Sequence, residues 1–165
     1  MRVRISAVLV AVAVLSDVAA AQTAGHRAEH RLALRQPVIE GLTLAGLRLG
    51  EAEGLVVAML GPPQASSDSP LAERLLRYEL VADIWLEVHV GPGGIQAIGL
   101  RVLGDADPAL SPQTIRGVVL GMPLARVMER YGDPPNGRYW YAIEGVAFNM
   151  KGETDTVVSM LVFPP

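Results

Sequence analysis

Hydrophobic positions crowd the start of the chain. Ile5 to Leu15 is an almost uninterrupted apolar run, preceded by Arg2 and Arg4 and followed by Ala19, Ala20 and Ala21. A positive n-region, an apolar h-region and small residues before a polar one make the three-part pattern of a secretory signal peptide over 1–21, with cleavage expected after Ala21. A spanning helix needs about 20 apolar residues; this run is shorter, and Asp17 interrupts its end. Residues 22–40 read as a polar, Arg-rich lead-in, partly helical from Arg27 to Arg35.

Beyond the lead-in the period of the pattern changes twice. Ala52, Leu55, Val56, Met59 and Leu60 fall at i, i+3, i+4, i+7 and i+8, one face of a helix. Leu124, Val127, Met128 and Tyr131 repeat that spacing, with Pro123 at the helix start, where its missing N–H costs nothing. Each run stops at glycine followed by proline, Gly61-Pro62 and Gly132-Asp133-Pro134. Strand signals follow the first helix at Leu75 to Leu80, Ile84 to Val90 and Ile95 to Leu103. They follow the second at Arg138 to Ala142, Val146 to Lys151 and Thr156 to Phe163, with glycine-bearing turns such as Gly91-Pro92-Gly93-Gly94 between them.

The two helix-and-strand runs share residues at a constant offset of 71: Gly46, Leu49, Gly50, Val56, Gly61 and Pro63 match Gly117, Leu120, Gly121, Val127, Gly132 and Pro134. The expected fold is therefore α+β: two tandem repeats over 41–103 and 114–165, joined by a linker over 104–113. Each repeat is a short helix followed by a three-stranded antiparallel sheet, the two packed side by side into one continuous sheet with the helices on one face.

Strand parity assigns the faces. Ile84, Leu86, Val88 and Val90 point towards the helix, as do Leu76, Tyr78 and Leu80. Trp85, Glu87 and His89 then point the other way, together with Leu75, Arg77 and Glu79. In the second run Tyr139 and Tyr141 take the apolar face and Trp140 the outer one. Both tryptophans of the protein thus fall on the face away from the helices. Aromatics beside arginine are what binding hot spots use, so Trp85, Trp140, Arg77, Glu87 and His89 are the expected partner-binding residues. The competing reading is that the tryptophans fill a seam or lie beneath residues 22–40.

Composition narrows the classes. The chain of 165 residues has 14 Lys plus Arg against 17 Asp plus Glu, a net charge of −3, and 5% aromatics. General nucleic-acid binding needs a basic surface, so it is not expected. No cysteine is present, which excludes disulfides, zinc-thiolate sites, thiol nucleophiles and a lipid-bearing cysteine. A domain this small without bridges relies on its hydrophobic core.

The Gly-x-x-x-Gly segments Gly46 to Gly50 and Gly117 to Gly121, the short helix, the Leu60-Gly61-Pro62-Pro63 stop and the aromatic-bearing strand resemble the small outer-membrane assembly lipoproteins of the BamE/SmpA type. Two such units in tandem are similar to the architecture of the β-lactamase inhibitory protein, over Leu42 to Phe163. The resemblance implies a non-enzymatic envelope module that binds protein through an open sheet face. This chain lacks the acylated cysteine of the one and the disulfides of the other, and no assembly or inhibitory residue carries over by position.

Signals for chemistry are sparse. His26-Arg27-Ala28-Glu29-His30 matches the H-x-x-E-H zinc-protease pattern, but it sits in the polar lead-in, and that enzyme class needs a far larger chain. His89 beside Glu87 reads as a solvated polar pair rather than an acid–base couple. Asp105 and Asp107 fall short of the six to eight oxygens calcium prefers. No nucleophile elbow, phosphate loop or nucleotide fingerprint is present. The expectation is an exported protein-binding module, periplasmic or secreted, that is not an enzyme. It should carry no cofactor or metal, no catalytic residue, no nucleic-acid partner and no stable membrane anchor after cleavage. The alternative is a binder of a small apolar or lipid ligand held between sheet and helices.

Overall fold

The computed structural model describes residues 31–104, 107, 110–134, 139–152 and 155–165. A small hairpin of β1 (Thr43–Leu44) and β2 (Leu47–Arg48) precedes helix α1 (Glu53–Leu60). Strands β3 (Ala65–Asp68), β4 (Arg74–Val81), β5 (Ile84–Gly91) and β6 (Gly94–Val102) follow, then helix α2 (Leu124–Tyr131) and strands β7 (Trp140–Tyr141), β8 (Val146–Lys151) and β9 (Thr156–Val162). Seven strands make one antiparallel sheet in the order β3-β4-β5-β6-β9-β8-β7.

Both helices pack on one face of it. Val56 and Leu60 of α1 and Val127 and Tyr131 of α2 are buried against Leu76, Tyr78, Leu86, Ile98, Leu100, Phe148 and Met160. The alternation along β4 and β5 puts these apolar residues on the helix side because successive side chains point to opposite faces. Residues 31–40 join the same side: Ala33, Leu34 and Val38 are part of this core, and the Val38 N–H donates to the Gln113 carbonyl at 2.9 Å.

Two backbone devices hold the layers in place. Gly61 and Gly132 close the helices at φ 79° and 81°, with ψ near 180°, a region open essentially to glycine alone. At the β5–β6 turn, a Cβ on Gly94 would come within 2.5 Å of the Glu51 carbonyl oxygen. That close approach lets Ile95 exchange hydrogen bonds with Gly50 and Glu51, both at 2.8 Å, which ties the hairpin tip to the start of α1.

The expected pair of tandem units, each a helix and a three-stranded sheet, is not what the chain forms. Four strands follow α1, because Ala65–Asp68 adds β3 along the free edge of β4. Three follow α2, and the first of them has only two residues. No local apolar pattern marks β3, whose four residues are all exposed; its strand conformation comes from the backbone groups β4 offers. Pairing of β6 with β9 then merges all seven strands into one sheet.

Candidate functional site

The face of the sheet opposite the helices is built by register. One line of cross-strand neighbours runs Arg77, Glu87, Gly99, Leu161, Ala147 and Trp140, from β4 to β7. The next line on the same face holds Glu79, Trp85, Arg101, Ser159 and Asn149. All five expected site residues therefore share a face, but they do not form one cluster. Glu87 and Trp140 are four strand spacings apart, roughly 19 Å.

On the β4–β5 side the polar residues are occupied. Arg77 Nε donates to Glu87 Oε1 at 3.2 Å across the strands, a partly exposed pair of the kind that contributes at most about 1 kcal/mol. His89 is 5% exposed because residues 69–72 turn over it. The Ser69 hydroxyl accepts the Leu71 and Ala72 N–H groups, both at 3.0 Å, which engages its acceptor capacity. Its own proton is left to donate to His89 Nδ1, 2.7 Å away, so the imidazole proton belongs on Nε2. Burial lowers the His89 pKa, against the raising effect of Glu87. His89 thus holds a loop in place and forms no acid–base couple with Glu87, whose carboxylate is turned to Arg77. Trp85 is half-buried.

The β7 side is different. Trp140 is 42% exposed, and its ring lies 4.5 Å from that of Phe163 at an interplanar angle of 30°. Together they border a groove of about 530 Å³ whose walls include Leu71, Ala97, Leu161 and Pro164. Ala97, Gly99 and Ala147 are small, so the sheet surface is low between these bulkier side chains. Strand parity already put Trp140 on this face. Leu161 and Phe163 carried the same parity signal two and four residues from Ser159, whereas Leu71 sits in a loop with no periodic pattern to mark it.

Other chemistry does not assemble. Among the described residues no group of three or more His, Asp or Glu could hold a metal ion. His26, Glu29, His30 and Asp105 lie outside the described residues. No helix among those described is long and apolar enough to cross a membrane.

No protein-family model matches the sequence, and no curated protein matches it. Similar solved structures include an extracellular protein containing a SCP domain from Bacillus anthracis, with a TM-score of 0.43 at 9% identity, over 70% of this chain and 44% of that one. A cysteine-rich secretory protein from Staphylococcus aureus has a TM-score of 0.48 at 8% identity, over 79% and 48% of the two chains. The chain spans less than half the length of either. The single seven-stranded sheet, with four strands after α1 and three after α2, overturns the tandem BamE/SmpA-like reading: the glycine spacing and proline stops mark helix ends, a feature many folds share.

Proposed function

We propose that the protein is an exported, non-enzymatic binding module that contacts a protein partner through the Trp140 side of its outer sheet face. Export is supported by the three-part leader over 1–21. The observation that carries the binding reading is the partly exposed Trp140 stacked on Phe163 beside an apolar groove. Tryptophan is enriched among residues that dominate binding energy, and apolar surface of this kind marks interaction sites. Residues 31–40 do not cover it, since they pack with α1 and Thr114 on the helix side.

The test is an affinity capture from cell-envelope and culture-fluid extracts with wild type, Trp140→Ala and Trp85→Ala side by side. A partner bound by wild type and by Trp85→Ala, and weakened about 30-fold by Trp140→Ala, supports the reading. If Trp140→Ala keeps its fold and retains the partner at full strength, the groove is not the contact surface.

A further inference from the structure

Helix α1 turns an apolar surface outward. Val56 and Leu60 face the core, while Gly54, Leu55, Val57 and Ala58 are all exposed, Leu55 to 42%. Its single charged residue, Glu53, is taken up by Arg74 of β4. Surface helices bury their apolar stripe and leave charge outside; α1 has apolar residues on both sides. Next to it lies a groove of about 490 Å³ walled by Leu32, Ala33, Ala45, Gly46, Ala58 and Met59, and Leu32 is 56% exposed at its rim.

Arginines bracket this patch. Arg31 and Arg35 flank Leu32 one helical turn apart, and Arg48 stands two residues beyond Gly46; all three are exposed, with no ion pair among the described residues. Of the neighbouring acids, Glu53 is paired with Arg74, and Glu51 Oε2 accepts the backbone N–H of Arg48 at 2.9 Å. In a chain of net charge −3, this apolar patch is edged by three arginines against one carboxylate outside an ion pair, Glu51, which leaves a net positive rim.

We propose that this face docks reversibly on an anionic lipid bilayer, with Leu32, Leu55 and Met59 at the acyl boundary and Arg31, Arg35 and Arg48 at the level of the headgroups. That is the arrangement by which amphipathic surfaces settle on membranes. A second copy of the chain fits less well. A two-fold contact would bring two copies of this net-positive rim together. The apolar patch lies on the helix side, and no residue lining its groove also lines the Trp140 groove.

The test is co-sedimentation of the exported chain with phosphatidylglycerol–phosphatidylcholine vesicles and with pure phosphatidylcholine vesicles. Wild type is expected on the anionic vesicles only, released by high salt. Replacing Arg35 and Arg48 by Gln together should lower the partition coefficient about 30-fold, at about 1 kcal/mol per arginine. Leu55→Glu should lower it at least tenfold; Ala58→Glu, also outward on α1, serves if that variant does not fold. Trp140→Ala should leave vesicle binding unchanged. Wild type remaining in the supernatant, equal binding to both vesicle types, or a dimer in solution that Leu55→Glu dissolves would each overturn the proposal, the last by giving the face to a second copy.

Discussion

Helices α1 and α2 share the way they are seated and stopped but differ most in the charge they turn outward. Each has eight residues, sends two side chains into the core, and ends on a glycine whose N–H bonds the carbonyl four residues back. Counted from that glycine, Leu55, Ala58 and Met59 of α1 correspond to Arg126, Glu129 and Arg130 of α2. The outer residues of α2 pair with one another and with the chain beside them: Arg126 Nη1 donates to Glu129 Oε2 at 2.7 Å, and Arg130 Nη1 to the Arg116 carbonyl at 2.7 Å. Folding needs only the inward pair and the cap, so the outward residues are free to answer some other demand. On α2 that demand is solvation; the apolar exterior of α1 points to a second surface.

The cores beneath the two helices differ as well. Under α2, the Tyr131 ring packs 4.9 Å from Tyr141 and 5.3 Å from Phe148, with the Arg116 guanidinium carbon 4.7 Å from its centroid. Its hydroxyl donates to Glu40 Oε1 and lies 3.1 Å from Thr114 Oγ1. Under α1, Tyr78 is fully buried, and its hydroxyl has no hydrogen-bond partner among the described residues. Burial, reinforced by the Glu53 charge, pushes its pKa up to about 12.

The sharpest way to break the comparison is at the caps. Gly61→Ala and Gly132→Ala should each destabilise the protein by about 1–3 kcal/mol, since both demand a conformation alanine rarely adopts. Urea melts of the two variants should agree within error. A cost at one site only would mean that the two stops are not the same device.

The tyrosines come next, with opposite signs expected. Tyr131→Phe should cost about 1–2 kcal/mol, because the Glu40 carboxylate loses its donor while its other oxygen is already buried without a partner. Tyr78→Phe should be neutral or stabilising by up to about 1 kcal/mol, since it removes a buried hydroxyl that makes no bond. A loss on Tyr78→Phe comparable to that on Tyr131→Phe would erase the distinction between the two ends.

The smallest effect is a pH dependence confined to the α1 end, where His89 is the only histidine among the described residues. Burial depresses its pKa in the folded state, so the unfolded chain binds the proton more readily. The contribution of the neutral ring to stability is complete above the unfolded value of about 6.5. It declines as pH falls through that value towards the lower folded one. Melting temperature should drop between about pH 7 and pH 5 by more in wild type than in His89→Asn. Equal slopes would place the pH dependence elsewhere.

Much of this architecture is written locally. The 3.6-residue spacing and the glycine stops locate both helices, and the period-two pattern over Leu75 to Leu80 and Ile84 to Val90 locates β4 and β5 and assigns their faces, Trp85 included. Those signals act over a few residues, where backbone geometry alone decides them. Strand β3 and the brevity of β7 are not written that way. Ala65-Ser66-Ser67-Asp68 alternates nothing, and its pairing with β4 exists because a free edge with unpaired N–H and C=O groups was there to be met. The count of four strands against three, and with it the failure of the tandem reading, follows from that one edge.

Contact partners belong to the tertiary structure for the same reason. Parity puts Arg77, Glu87, His89 and Trp140 on one face, but only the strand order places Trp140 about 19 Å from Glu87 and beside Phe163. Only the loop at Ser69 closes over His89 and withdraws it from solvent. The sequence by itself determines which side chains share a face, since that depends on each strand's own period. Which of them touch, and which remain open to a partner, is decided by how β6 meets β9 and where the loops fold back, interactions between residues far apart in the chain.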